Sequence, residues 1–191
     1  MTDAPHNTSA LAGLRLVQDE IARAADGLQE DQLSGLVAEI QQAERAFVTG
    51  GGRSGLALRM HAMRLMHLGL TVHVVGETTT PAIGSGDLLI VASGSGTTAA
   101  AVAAAETSVS VGARVAALTT DGGSTLAGIA HRTVVIPAAQ KTDHSGNASR
   151  QYSGSLFEQT LLLVLDGVFH ALWQADGTPA ENLWPRHANL E

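Results

Sequence analysis

Ser93-Gly94-Ser95-Gly96-Thr97-Thr98 stands between an apolar run, Leu88–Val91, and an alanine-rich segment that starts at Ala99. That order of residue types can bind an anion. N–H groups at the start of a helix lack intrahelical partners and carry partial positive charge, and glycines let a ligand approach the backbone closely. The hydroxyls of Ser93, Ser95 and Thr98 add donors without adding net charge. A flexible connector is the plainer reading of alternating Ser and Gly, but connectors seldom join a buried-strand pattern to a strong helix former. The segment reads as a loop that holds a phosphate, with Ser93, Gly94, Ser95, Gly96, Thr97 and Thr98 as binding candidates.

A second glycine-rich segment, Gly50-Gly51-Gly52-Arg53-Ser54-Gly55, follows the short apolar stretch Ala46–Thr49 and precedes a helical pattern. Its Gly50, Gly52 and Gly55 match the dinucleotide-binding spacing, and Glu77 follows the next strand, where a ribose-binding acid would stand. Two features argue against a nicotinamide site. Arg53 and Ser54 have side chains suited to a substrate, and a dinucleotide would leave the Ser93–Thr98 loop without a role. Gly52, Arg53 and Ser54 are therefore read as substrate-binding candidates. Neither segment ends in the Gly-Lys-Ser/Thr of a nucleotide-triphosphate loop.

Glu158 has two readings. Ser155-Leu156-Phe157-Glu158 has the pattern of a capping box, in which serine and glutamate satisfy each other's backbone at a helix start. Alternatively Glu158, set among Leu156, Phe157 and Leu161, is a general base. His67 shares a helical stripe with Met60 and Met63, the usual setting of a core histidine; as a catalyst it could pass a ring-opening proton. His187, in the tail segment Arg186–Leu190, is by default solvent-facing. His61, His73, His131, His144 and His170 show no metal-ligand spacing, so no metal is expected. Lys141 and Arg150 lie in the long polar stretch 138–154 and read first as solvated side chains, with closure over a phosphate as a lid the alternative.

The elements that must position these groups alternate. Helical patterns over 10–25 and 31–46 precede a first strand at 46–49, and neither carries a motif. A helix at 56–68, a strand at 70–75, the central strand and helix, a strand at 114–118, a turn at 121–123, a strand at 133–136 and an apolar helix at 155–173 follow. The tail from Thr178 adds a short helix in the same reading. Strands alternating with helices predict an α/β, three-layer, doubly wound domain spanning 1–191, with a five-stranded parallel sheet of flavodoxin-like order. Ligands in such sheets sit beyond the strand carboxyl ends, where both glycine-rich loops begin.

Composition narrows the function classes. The 191-residue chain carries a net charge of −7 with no Lys/Arg-rich run, which argues against a general nucleic-acid surface. It has no cysteine, which excludes disulfides, thiolate catalysis and cysteine-based zinc sites. The first residues lack a secretory pattern and no stretch reads as bilayer-spanning, so a cytoplasmic protein without a membrane partner is expected.

Several blocks together resemble a known family. Gly50–Gly55, Met63–Leu70, Val74–Ile83, Asp87–Thr98, Ser155–Asp166 and Arg186–Glu191 look like the 6-phospho-3-hexuloisomerases of the sugar isomerase (SIS) domain family, over nearly the whole chain from Phe47. The resemblance implies a five-stranded α/β/α domain, usually a homotetramer with active sites at subunit contacts. It implies interconversion of D-arabino-hex-3-ulose 6-phosphate and fructose 6-phosphate, in the ribulose monophosphate route of formaldehyde fixation, with possible coupling to hexulose-phosphate synthase. Family roles fall on Ser54 and the Ser93–Thr98 loop as substrate and phosphate binders, and on Glu158 as base. No cofactor is implied. His67 or His187 would assist, the latter from a neighbouring subunit's tail. Two departures stand out: Thr97 replaces a charged residue of many relatives, and Tyr152-Ser153 replaces a more usual Pro-Met.

Overall fold

The computed structural model describes residues 9–141, 143 and 149–190. His144 and part of the expected 138–154 loop lie outside the described residues. Two amphipathic helices come first, α1 (Ala10–Asp26) and α2 (Glu30–Gln42). Then follow β1 (Ala46–Gly50), α3 (Gly52–Leu68), β2 (Val72–Val74), β3 (Leu88–Ala92), α4 (Ala99–Ser110), β4 (Arg114–Thr119), α5 (Thr125–Ile129), β5 (Arg132–Val135), α6 (Ser155–Asp176) and α7 (Ala180–Leu183). A short 3₁₀ turn, Trp184–Arg186, closes the tail.

The strands form one parallel sheet in the order β2-β1-β3-β4-β5, the expected doubly wound order. Side chains alternate across it, as the two-residue strand period demands. Ala46, Val48, Leu88, Ile90 and Ala92 face the layer of α2, α3 and α6, where Leu36, Leu58, Leu65, Phe157 and Leu161 fill the larger core. Phe47, Leu89, Val91, Val115 and Ala117 face α4 and α5 and meet Ala101, Ala105 and Leu126. Small alanines there let α4 lie close to the sheet.

Ion pairs tie the amino-terminal edge of the sheet. Arg45 grips Asp87 bidentately (2.8 and 2.6 Å), and the Gly84 N–H donates to the same carboxylate at 2.7 Å. Arg114 likewise pairs with the buried Glu39 of α2. Both acids are held below their ordinary range, chiefly by the guanidinium hydrogen bonds. The chemistry-bearing loops are thus left to the opposite, carboxyl edge.

Three details differ from the sequence reading. α3 begins at Gly52, four residues early, so Arg53 and Ser54 sit in a helix turn and not in a loop. The short helix α5, capped by Ser124, was hidden because five residues show no period. α6, at 22 residues, is long and apolar enough to cross a bilayer, contrary to the expectation that no stretch would be; 56% of its apolar window is buried, and it packs on α1, α2 and α3 as the core helix.

Candidate active site

β1 and β3 are neighbours, with Gly50 in register with Ala92, and the order reverses between them. Their carboxyl ends therefore open the crevice where ligands bind in doubly wound sheets. Three segments meet there: the first turn of α3, the Ser93–Thr98 loop and the first turn of α6.

The Ser93–Thr98 loop is built by its own hydrogen bonds. Ser93 Oγ and Thr98 Oγ1 lie 2.9 Å apart, and the Thr97 hydroxyl donates to Ser95 Oγ at 3.1 Å. The Gly94 carbonyl accepts from the Thr119 and Thr120 hydroxyls at 3.1 and 2.8 Å. Gly96 turns the chain with φ +62, a left-handed conformation open to glycine. Ser93 is buried while Thr97, Thr98, Ala99 and Ala100 are exposed at the mouth. Thr98 is the N-cap of α4 but its side chain does not cap it, which leaves the N–H groups of Ala99 and Ala100 without that partner. Such an arrangement can hold an anion without a cation.

Glu158 is not in a capping box. Gly154, at φ +82, is the N-cap of α6, Ser155 is its first residue, and the Glu158 N–H makes an ordinary helix bond to the Gly154 carbonyl at 3.2 Å. The Tyr152–Ser155 turn, closed by Ser155 N–H to the Tyr152 carbonyl at 3.1 Å, moves the cap one residue upstream of the serine. The reciprocal pairing of Ser155 and Glu158 cannot then form. Instead the buried Glu158 carboxylate faces two cations, Arg53 Nε at 3.4 Å and Lys141 Nζ at 3.7 Å. With Tyr152, Ser153 and Ser155 they line a cleft of about 390 Å³. The Ser93–Thr98 loop stands beside this cleft rather than in its walls, joined to it through Phe157: a Cβ on Gly94 would lie 3.3 Å from the Phe157 ring. Ser54 is buried one residue from Arg53.

His67 and His187 come together, but not at this cleft. Their rings stack at 3.9 Å, Trp184 packs on His187, and the Arg186 guanidinium donates to the His67 carbonyl at 2.8 Å. Burial first, then His187 and Arg64, lowers the His67 pKa, so its ring is neutral at neutral pH. The pair lies at the carboxyl end of α3, fourteen residues or about 20 Å along the helix from Arg53. Within one chain neither histidine reaches Glu158. Other expectations also shift. Glu77, read as a ribose-binding acid in the dinucleotide alternative, is paired with Arg59. Lys141 reaches the site; Arg150 instead gives its backbone N–H to Glu20, a residue the sequence reading missed. A larger groove of about 460 Å³ between α1, α2 and α6 is mostly apolar and has no lysine or arginine in its lining, so it does not suit a phosphate. Among the described residues no cluster of three or more His, Asp or Glu side chains could hold a metal.

A parallel α/β/α sheet with a Ser-Gly loop and a carboxylate at its switch point is the architecture of a sugar isomerase domain, and the chain belongs to the SIS domain family, whose model matches residues 39–163. The 3-hexulose-6-phosphate isomerase of Mycobacterium gastri is 60% identical over 93% of this chain and 89% of its own length. That of Bacillus subtilis (strain 168) is 38% identical over 92% and 95%. The crystal structure of a hypothetical protein from Methanococcus jannaschii, described as inferring a 3-hexulose-6-phosphate isomerase function, superposes with a TM-score of 0.80 at 31% identity, covering 94% of this chain and 99% of that one.

Proposed function

We propose that this protein is a 3-hexulose-6-phosphate isomerase, interconverting D-arabino-hex-3-ulose 6-phosphate and D-fructose 6-phosphate. The carbonyl moves between C3 and C2, an internal exchange of oxidation state that consumes no external oxidant or reductant. Glu158 removes the proton alpha to the carbonyl, a cis-enediol(ate) forms, and the proton returns to the adjacent carbon. Arg53 and Lys141 hold the carboxylate and stabilise the developing oxyanion, while the Ser93–Thr98 loop, the α4 amino terminus and Ser54 bind substrate and phosphate. The observation that carries this reading is the Glu158 carboxylate, buried yet outside any helix cap and facing Arg53 and Lys141.

His67 and His187 assist ring opening or hydroxyl proton transfer at a neighbouring subunit's Glu158, in a homotetramer. The exposed stripe Leu56, Met60 and Met63 on α3 supports an assembly, because 61, 53 and 57% exposure of large apolar side chains on one helix face suits a partner surface. A cytoplasmic place after hexulose-phosphate synthase in formaldehyde fixation completes the reading. The test is steady-state turnover by the pure protein on pentulose, hexulose and heptulose phosphates. Preference for the hexulose phosphate is expected. A preferred five- or seven-carbon substrate would overturn the assignment, and no turnover on any of them would favour a sugar-phosphate sensor.

A further inference from the structure

The segment that delivers Glu158 to its cleft is tied down from outside the cleft. Glu20 of α1 is only 3% exposed, and its carboxylate accepts hydrogen bonds from three consecutive residues far along the chain. Ser149 Oγ donates at 2.6 Å, the Arg150 N–H at 2.9 Å and Gln151 Nε2 at 3.1 Å. Ser149 Oγ in turn accepts from the Gln151 N–H at 3.1 Å, which closes the turn on itself. Glu20 also lines, with Pro137 and Leu156, a small cleft of about 100 Å³, so it borders the first turn of α6 as well. Between these anchor points run Tyr152 and Ser153, which line the active-site cleft, and Gly154, which starts α6.

A buried carboxylate is a costly way to dock a helix. α1 also meets α6 without it: Ala24 is buried beside Glu20, and Ile21 and Ala25 line the outer groove together with Val164 and Val168. Its acid spends its hydrogen-bonding capacity on one short segment, and that segment leads straight into the turn before the base.

We propose that Glu20 is a positioning residue for the isomerisation: it fixes the 149–151 turn, and through it the Tyr152–Ser155 turn that aims Glu158. The proposal rests on Glu158 being the base. Its action is on the placement of the carboxylate and not on the phosphate loop, whose hydrogen bonds run within the loop and to Leu118, Thr119, Thr120 and Leu126.

The chain has a single tyrosine, Tyr152, one residue beyond the clamped turn. 3-Fluorotyrosine incorporated there gives one fluorine resonance that reports the turn without reference to activity. Two variants are compared with the parent: Glu20→Gln, and the loop-side double variant Ser149→Ala/Gln151→Ala, which keeps the protein foldable should Glu20→Gln not be. Expected are a shifted or broadened fluorine line and a kcat lowered about 10- to 100-fold, the scale of a misplaced catalytic group. KM and inhibition by inorganic phosphate should stay within about threefold of the parent. A purely structural Glu20 would lower the unfolding midpoint and leave kcat per folded site unchanged. An unchanged fluorine line in the double variant overturns the clamp. A changed line with kcat within about twofold of the parent overturns its role in catalysis. A parent protein without isomerase turnover would overturn the functional reading and the catalytic half of this one, and the fluorine line would still decide the clamp.

Discussion

Gly96→Ala should loosen the phosphate loop and destabilise the fold together. Gly96 sits at φ +62, where a Cβ costs about 1–2 kcal/mol. The new methyl would also fall well inside van der Waals contact with Ser124 Oγ and Cβ, and 3.0 Å from Thr119 Oγ1. Ser124 is buried and cannot simply swing into solvent. Displacing it breaks the N-cap of α5, where its hydroxyl accepts from the Ala127 N–H, at a cost of about 0.5–2 kcal/mol. The sum, about 1.5–4 kcal/mol, should lower the melting temperature of a domain this size by roughly 3–16 °C. Urea unfolding gives the stability change, and KM for fructose 6-phosphate should rise because the loop donors move with the turn. In a Ser124→Gly background the clash with Ser124 disappears, and only the backbone cost of about 1–2 kcal/mol and the tight Thr119 contact should remain. An unfolding midpoint and KM equal to the parent's would refute the reasoning, as would an undiminished cost in the Ser124→Gly background.

Ser95→Ala and Thr98→Ala should raise KM with little change in kcat. A hydrogen bond to a charged phosphate is worth about 1.5–3 kcal/mol, roughly 10- to 150-fold in affinity, and unchanged steady-state KM values would move the phosphate elsewhere. Stability should fall as the pH drops below about 4.5, because Glu39 and Asp87 have folded-state pKa values below their ordinary values of 4.5 and 3.8. A depressed carboxylate contributes stability above its unfolded pKa and loses it as the pH falls through its folded one. Urea unfolding from pH 7 to pH 3 measures this, and Arg114→Gln should flatten the slope; an unaltered slope would contradict it. Mixed subunits of inactive Glu158→Gln and His187→Gln should regain part of the parent turnover if the histidines serve a neighbour's base, and no recovery would confine them to a structural role.

The place of the Ser93–Thr98 loop at the carboxyl edge was legible in the sequence because its signals are local. An apolar run, a Ser-Gly turn and a helix former place Ser93–Thr98 at the end of β3 whatever the rest of the chain does. The stripe of Leu56, Met60, Met63 and His67 was less legible. Periodicity marks a face to be covered but not what covers it, and here the first three are exposed while the tail residues Arg186 and His187 bury the fourth. The pattern around Glu158 was misleading for a related reason: Ser155 and Glu158 have capping-box spacing, but Gly154 takes the cap through a left-handed turn that no spacing encodes. Glu20 could not be found at all. In sequence it is one acid in an amphipathic helix, and its partners lie 129 to 131 residues away.

The most direct measurement follows hydrogen exchange at the carbons of fructose 6-phosphate in D₂O by proton NMR. Enolisation between C2 and C3 by Glu158 should replace the C3 hydrogen with deuterium and leave the C1 hydrogens in place. Glu158→Gln, which keeps the shape and removes the base, should slow that exchange about 10²- to 10⁴-fold in a protein that still folds. Exchange at C1 would mean a different isomerisation, and C3 exchange at the parent's rate in Glu158→Gln would take the carboxylate out of the chemistry.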